Sequence, residues 1–165
     1  KFKNEVKRQG ALPFVRHHNI KYGGQFPIWV AVELFTFGML GSLFDLMREN
    51  DQRAVSREYN LSPESLSRLI ASAVDVRNIC AHYNRLYNRV LDDQPLLPNR
   101  LRLYESDRLF PLLLAFAHIL GRERVLNRLI TGLSLLEADF PEADLSLCGF
   151  PEDWRSILEA EAAQS

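Results

Sequence analysis

Residues 75–89, DVRNICAHYNRLYNR, carry polar side chains whose types and spacing could do chemistry. If this stretch is helical, one face presents an amide, an imidazole and two guanidinium groups at spacings of four, three and four residues. The members of this polar stripe are Asn78, His82, Arg85 and Arg89. Arg77 lies on the flank of the stripe, and its long side chain can reach toward His82, one turn away.

Such a set of side chains is suited to cutting an RNA phosphodiester without a metal ion. The imidazole of His82 can exchange a proton with the 2′-hydroxyl or with the leaving 5′-oxygen. A guanidinium can hold the scissile phosphate, and the amide can orient either partner. The alternative is a solvated helix face, with Arg85 and Arg89 paired to acidic residues of the C-terminal segment. The spacing by itself leaves both interpretations open.

A second polar group lies in the basic stretch RHHNIKY. His17 and Lys21 are candidates for weaker contacts with RNA, as are Arg85 and Arg89 of the polar stripe. A metal pair of His17 and His18 has no carboxylate or cysteine at ligand spacing beside it, so no metal site is predicted.

Three other residues are assigned to structure rather than to chemistry. Cys80, between Ile79 and Ala81, is expected to be a packed thiol. His118, within LLLAFAHIL, is expected to be a core histidine. Glu33 lies inside an apolar segment and is expected to form a structural salt bridge if it is buried. The sequence contains neither a Gly-rich phosphate loop nor a nucleophile elbow.

The composition is that of an ordinary globular protein, with 47% hydrophobic and 25% charged residues. The net charge of −1 gives no overall basic signal for nucleic acid, but the charges are unevenly distributed. Residues 1–22 contain six Lys or Arg against one Glu, whereas residues 137–165 contain eight acids against one Arg. Sixteen of the twenty cations are Arg, which suits bidentate recognition of phosphate or carboxylate. The acidic C-terminal segment is expected to lie away from a phosphate site.

Helix signals dominate, so the predicted fold class is all-α, with one helical domain over residues 1–165. The predicted helices cover residues 27–47, with a bend near Gly38 and Gly41, then 50–59, 63–91, 106–121 and 122–138, and a last helix starts at Pro151. Ser62 and Pro63 mark the start of the 63–91 helix. Its predicted apolar stripe consists of Val76, Ile79, Tyr83, Leu86 and Val90. Residues 92–100, DDQPLLPNR, are the clearest loop.

The two cysteines, Cys80 and Cys148, are far apart and indicate neither a disulfide framework nor a zinc site. No signal peptide is recognisable, and a cytoplasmic protein without a cofactor is predicted. Because the chain begins at Lys1 rather than at Met, an upstream part is expected. The apolar segment 27–47 contains two acidic residues, so it is expected to be a buried core helix and not a membrane span.

The stretch VRNICAHYNRLYNR resembles the signature of the bacterial abortive-infection (Abi) family, a branch of the HEPN superfamily. That signature has an Arg-Asn pair, an apolar residue, Cys-Ala-His and then Arg-Leu-aromatic-Asn. The sequence matches it at Arg77, Asn78, Cys80, Ala81, His82, Arg85, Leu86, Tyr87 and Asn88. Tyr83 stands where the family often has a second histidine. HHNIKY, PIWVAVELFTFGMLGSLF and CGFPEDW are similar to further blocks of the family and follow in the same order.

The resemblance implies a HEPN-like helical bundle with the motif on one long central helix, and a chain that is the C-terminal part of a longer Abi protein. It implies a metal-independent endoribonuclease toxin of phage defence or of a toxin–antitoxin system. Arg77 would be the phosphate clamp, Asn78 the polar residue after it, and His82 the general acid or base. The implied partners are the RNA substrate, a second copy of the chain, and an antitoxin or phage-sensing protein. The dimer interface is expected to include the N-terminal part of the 63–91 helix.

Two alternatives to the nuclease remain open at this level. The first is a non-catalytic helical module that binds RNA or a partner protein, since HEPN domains include inactive members. The second is a structural dimerisation domain whose polar stripe only faces water.

Overall fold

The computed structural model describes residues 1–120 and 123–163. These residues form α-helices and short 3₁₀-helices and contain no β-strand, which confirms the predicted all-α class. The α-helices are α1 (Phe2–Arg8), α2 (Pro13–Lys21), α3 (Ile28–Ala31), α4 (Phe37–Leu46), α5 (Glu49–Arg57), α6 (Pro63–Ala81), α7 (Leu109–Leu120), α8 (Glu123–Asp139) and α9 (Trp154–Ala163). The 3₁₀-helices are Val32–Leu34, Asn99–Tyr104 and Leu145–Cys148. The chain divides into two compact units, Lys1–Leu46 and Met47–Ser165.

The first unit contains α1 to α4, and the single helix predicted for residues 27–47 is broken within it. A 3₁₀ turn follows α3, and Phe35 is extended, with φ −76° and ψ 133°. Helix α4 then starts afresh because the hydroxyl of Thr36 accepts the backbone N–H of Met39 at 3.3 Å, as an N-cap side chain does. The break therefore precedes Gly38 and Gly41, where the sequence predicts a bend.

The segment 27–47 is also not the buried core helix that its apolar composition predicts. Its buried residues are Ala31, Leu34, Met39 and Phe44. Trp29 and Leu46, by contrast, are 73% and 84% exposed. Glu33 is exposed as well, so the condition for its expected salt bridge does not hold. None of the described helices is both long and apolar enough to cross a membrane.

The second unit contains α5 to α9, and its core is formed mainly by α7, α8 and α9. Fully buried side chains include Phe110, Leu112, Leu114 and Leu158. Pro111 lies in the first turn of α7, where a proline is tolerated because its missing N–H has no helical partner there. The predicted end of this helix at Gly121 falls outside the described residues. The last helix begins at Trp154, three residues after the predicted start.

Helix α6 is the element that carries the motif, and its start agrees with the prediction. Ser62 is the N-cap, with its hydroxyl accepting the backbone N–H of Ser65 at 3.0 Å, and Pro63 is the first helical residue. The helix packs against α5 and α7. Its buried hydrophobic residues are Leu66, Leu69, Ala73 and Ile79. The packing of this face fixes where the last turn of α6 projects its polar side chains.

Candidate active site

The residues predicted to do chemistry lie at the C-terminal end of α6. Arg77 and Asn78 are in its last turn, and His82 is its C-cap residue. All three side chains are exposed. The Nη1 of Arg77 donates to the Oδ1 of Asn78 at 3.0 Å. Within the described residues, the imidazole of His82 makes no hydrogen bond and no ion pair, so the fold does not use this ring as a structural contact.

The helix ends at Ala81 through a hydrogen-bonded cap and not through a proline or glycine. The backbone N–H of Asn84 bonds to the carbonyl of Ile79 at 3.0 Å, and that of Tyr83 to the carbonyl of Cys80 at 3.1 Å. This pair of bonds defines a Schellman motif, which requires a left-handed residue just after the C-cap. Tyr83 is that residue, with φ +55°. A tyrosine in this conformation is strained, because its Cβ crowds the following carbonyl oxygen.

The predicted continuation of this helix to residue 91 is therefore wrong. The left-handed turn breaks the helical period, so the residues after it do not extend the apolar stripe. Tyr83 is 99% exposed and Val90 is 53% exposed, whereas the stripe predicts that both face the core. Arg85 and Arg89 lie in the irregular segment after the helix and not on a face shared with Asn78. Both arginines are exposed, and neither forms an ion pair with any described acidic residue.

The segment after the motif is held in place by Tyr87 and Asn88, whose anchoring contacts are not evident from the sequence pattern. The hydroxyl of Tyr87 donates to the carbonyl of Asp144 at 3.2 Å and accepts the backbone N–H of Asp144 at 3.0 Å. Asn88 is left-handed, with φ +53°, which asparagine tolerates better than most residues. Its Oδ1 accepts from Arg108 at 2.9 Å, and its backbone N–H points to the Sγ of Cys148 at 3.4 Å. These contacts fix the loop that follows His82.

The acidic C-terminal segment contacts the loop after the motif through the backbone of Asp144, which binds the hydroxyl of Tyr87. Glu142, Ala143 and Leu145 line an apolar groove of about 480 Å³ together with Tyr87 and Phe140. The carboxylate of Asp144 accepts from Ser146 at 2.9 Å, and these hydrogen bonds hold the pKa of Asp144 below its usual range. Glu137 is paired with Arg155. These two carboxylates thus have partners of their own.

Two residues assigned to structure behave differently from each other. Cys80 is exposed, so the packed thiol predicted at this position is wrong; Cys148 is the buried cysteine. His118 is partly buried, and its polar contact supports the structural role that the sequence predicts. Its Nδ1 lies 3.4 Å from the carboxylate of Glu161, which also accepts hydrogen bonds from Arg100 and thereby raises the pKa of that guanidinium. The Nε2 of His118 is buried without a partner among the described residues.

The weaker candidates of the first unit lie beside a cavity of about 710 Å³. His17 and His18 line it together with aromatic residues, and both are on α2. Lys21 lies at the end of α2, with its Nζ 5.5 Å from the ring centroid of Tyr22. Across the described ranges, no three His, Cys, Asp or Glu residues come together as a metal site requires.

A model of a known protein family matches the part of the chain that carries the motif. The family model described as Abi-like protein matches residues 1–88, which is just over half of the chain. The chain belongs to the Abi-like family. No curated protein matches it, and no solved structure does. Membership of this family suggests a role in abortive infection.

The Abi-like match covers the first unit and continues to Asn88, so it includes Arg77, Asn78 and His82. It ends before the block CGFPEDW, whose Cys148 contacts the motif loop of this Abi-like protein. The contacts of Tyr87 and Asn88 join residues that are 57 and 60 positions apart. Periodicity does not reveal contacts at such separations, although the tolerance of asparagine for a left-handed backbone was a usable signal at Asn88.

The strained cap leads to a prediction about stability. Replacing Tyr83 with Gly should stabilise the Abi-like protein by about 0.5–1 kcal/mol. Glycine adopts a positive φ without the steric cost, although it also gains entropy in the unfolded chain. The ring is 99% exposed, so removing it sacrifices no buried surface. Urea denaturation of Tyr83→Gly beside Tyr83→Ala measures the effect, since alanine keeps the strain. Equal midpoints for these two variants would show that the cap is not strained.

Proposed function

We propose that this Abi-like protein is a metal-independent HEPN endoribonuclease, acting in abortive phage infection or in a toxin–antitoxin system. The observation that carries the proposal is the state of three side chains at the end of α6. A guanidinium, an amide and an imidazole stand exposed on one helix end, and among the described residues their only side-chain hydrogen bond is the one between Arg77 and Asn78. Their match to the Abi family's Arg-Asn and Cys-Ala-His signature supports a catalytic use for them.

Each of the three side chains has a distinct role in the proposed reaction. Arg77 holds the scissile phosphate and offsets the charge that develops on it in the transition state. Asn78 accepts a hydrogen bond from Arg77 at 3.0 Å, which orients the guanidinium. His82 removes the proton of the 2′-hydroxyl or donates a proton to the leaving 5′-oxygen. Attack of the 2′-oxygen on phosphorus breaks the bond to the 5′-oxygen and leaves a 2′,3′-cyclic phosphate and a 5′-hydroxyl.

The test is incubation of the purified protein with total RNA in the presence of EDTA. We expect cleavage to persist and the products to carry 2′,3′-cyclic phosphate and 5′-hydroxyl ends. A two-metal nuclease would instead lose activity on chelation. RNA binding by the wild-type protein without any cleavage would favour the alternative, a non-catalytic helical module that binds RNA or a partner protein.

The active form is proposed to be a homodimer. One motif supplies one titratable group, whereas the reaction needs a base and an acid. Helix α6 has 19 residues, so its ends are separated by roughly 28 Å, at about 1.5 Å per residue. The expected interface, which includes the N-terminal part of α6, would have to extend to the last turn for the two His82 side chains to share one cleft. Antitoxin or phage-sensing partners would act by covering this cleft.

Sedimentation analysis of the purified protein measures its oligomeric state. We expect a dimer at micromolar concentration. A cross-link between exposed Cys80 residues of two copies would report the proximity of the two last turns, since Cys80 lies in that turn. A fully active monomer would contradict the dimer and would require a second catalytic group from the same chain.

A further inference from the structure

The aromatic cavity of the Lys1–Leu46 unit has the features of a ligand site. We infer that it is a stacking site for the bases of single-stranded RNA. Its volume of about 710 Å³ falls in the range of roughly 300–1,000 Å³ that is typical of small-molecule sites. The lining residues are His17, His18, Tyr22, Gln25, Phe26, Pro27, Trp29 and Val30. The inference takes from the proposed function only that RNA is the ligand, and its test measures binding alone.

The cavity is built from α2, the turn after it and α3. Gly23 and Gly24 have φ values of +59° and +78°, and this turn brings the chain back over α2. Phe26 then stacks on the ring of His18, with the ring centroids 5.1 Å apart and the planes 15° from parallel. The Nδ1 of His18 lies 2.8 Å from the carbonyl of Phe14; since a carbonyl only accepts, Nδ1 carries the proton. One wall of the cavity is thus a pre-ordered pair of flat rings.

The second feature is the large aromatic surface that this unit leaves in water. Trp29 is 73% exposed and Tyr22 is 48% exposed, and both line the cavity. Trp154 shows the contrast, because it is 2% exposed within the core of the second unit. An exposed tryptophan in a concave site has its ring face free for a partner ring. Stacking of a base on such a face contributes about 1–3 kcal/mol and depends little on the identity of the base.

The excess of positive charge on the Lys1–Leu46 unit favours an anionic ligand. Residues 1–46 hold six Lys or Arg against three acids and include all four lysines of the chain, whereas residues 47–165 hold fourteen against eighteen. Lys21 lies over Tyr22 and Arg16 is exposed next to His17, so cations stand beside the stacking rings. Aromatic faces interleaved with cations are the combination by which single-stranded nucleic acid is bound. An apolar peptide would use the rings but would gain nothing from the cations.

Binding is measured with a fluorescent 2′-O-methyl oligoadenylate, which lacks the attacking 2′-hydroxyl and stays intact. Trp29→Ala should weaken binding by roughly 5- to 150-fold, the equivalent of one lost stacking contact. Lys21→Gln should reduce the slope of log affinity against log salt concentration by about 0.7, because one phosphate contact is lost. Leu46→Ala is the matched control: this residue belongs to the same unit, is 84% exposed and does not line the cavity. It should bind as the wild type does.

The same experiment separates stacking from simple charge attraction. An oligomer of the same length with abasic sugars should bind to the wild type and to Trp29→Ala with equal affinity. Its affinity for the wild type should be lower than that of the oligoadenylate. Equal affinity of the wild type for both oligomers, or no effect of Trp29→Ala, would overturn the inference. Binding of an apolar peptide, without binding of the oligoadenylate, would also overturn the inference. The 2′-O-methyl oligomer is not cleaved, so a failure of the nuclease proposal leaves this binding result readable by itself.

Discussion

His82→Ala should lower the rate of RNA cleavage by roughly 10²-fold or more, the usual scale for loss of a general acid or base. The imidazole has no structural hydrogen bond among the described residues, so the loss would come from chemistry and not from unfolding. Exposed positions outside special contacts usually change stability by less than about 0.5 kcal/mol. Single-turnover cleavage of a labelled RNA measures the rate, and circular dichroism verifies the fold. Full activity in His82→Ala would end the proposed mechanism.

Arg77→Ala should cause a loss of similar size, because the phosphate would have no clamp. Arg77→Lys should restore the activity only in part, since an ammonium keeps the charge but lacks the planar fork that binds two phosphate oxygens. Arg68→Ala is the matched control on the same helix. Arg68 is about half exposed, and its carboxylate partner, Glu64, is 3.9 Å away on the surface. Equal losses in Arg68→Ala and Arg77→Ala would show that α6 needs general positive charge and not this guanidinium.

The start of α6 could be predicted from the sequence, whereas its end could not. A serine followed by a proline specifies an N-terminus through local chemistry, since the hydroxyl satisfies a backbone N–H and the proline tolerates the first turn. At the other end, the apolar spacing continues past residue 81 without a glycine or proline to interrupt it. The helix ends at Ala81 because Tyr83, two residues later, adopts a left-handed conformation that is unfavourable for tyrosine. Local propensity opposes that conformation, so only the tertiary contacts of the following loop can explain it.

The candidate site, too, could be predicted from the sequence only in part. Arg77, Asn78 and His82 are close in sequence, and all three lie at the C-terminal end of α6. Arg85 and Arg89 are not on that face, because the extrapolated period fails after Tyr83. The break in the 27–47 segment did have a sequence signal. Threonine is a favoured N-cap residue, so Thr36 was a usable signal, but the continuous apolar run around it favoured an unbroken helix.

Gly149→Ala should destabilise the protein by about 2–4 kcal/mol, because two separate costs combine at this position. The residue has φ +83°, where a side chain is strained. A Cβ would also lie 2.7 Å from the Cβ of Arg108 and 3.2 Å from the hydroxyl of Ser106. The Cβ of Arg108 is fixed to its backbone and is not the far end of a flexible chain, so the backbone must shift, and overpacking of this kind typically costs about 1–3 kcal/mol. Thermal and urea denaturation measure the loss.

Gly132→Ala is the control for this substitution and should have the opposite sign. Gly132 lies inside α8, and no heavy atom would come within 4 Å of an added Cβ. Alanine should therefore stabilise the helix by about 0.5–1 kcal/mol, the usual penalty of a glycine in a helix interior. The same methyl group thus produces two effects, because one glycine is required by backbone conformation and close approach, and the other is not. Equal stability of the two variants would contradict the geometry at Gly149, and with it the packing that places Cys148 against the loop of the motif.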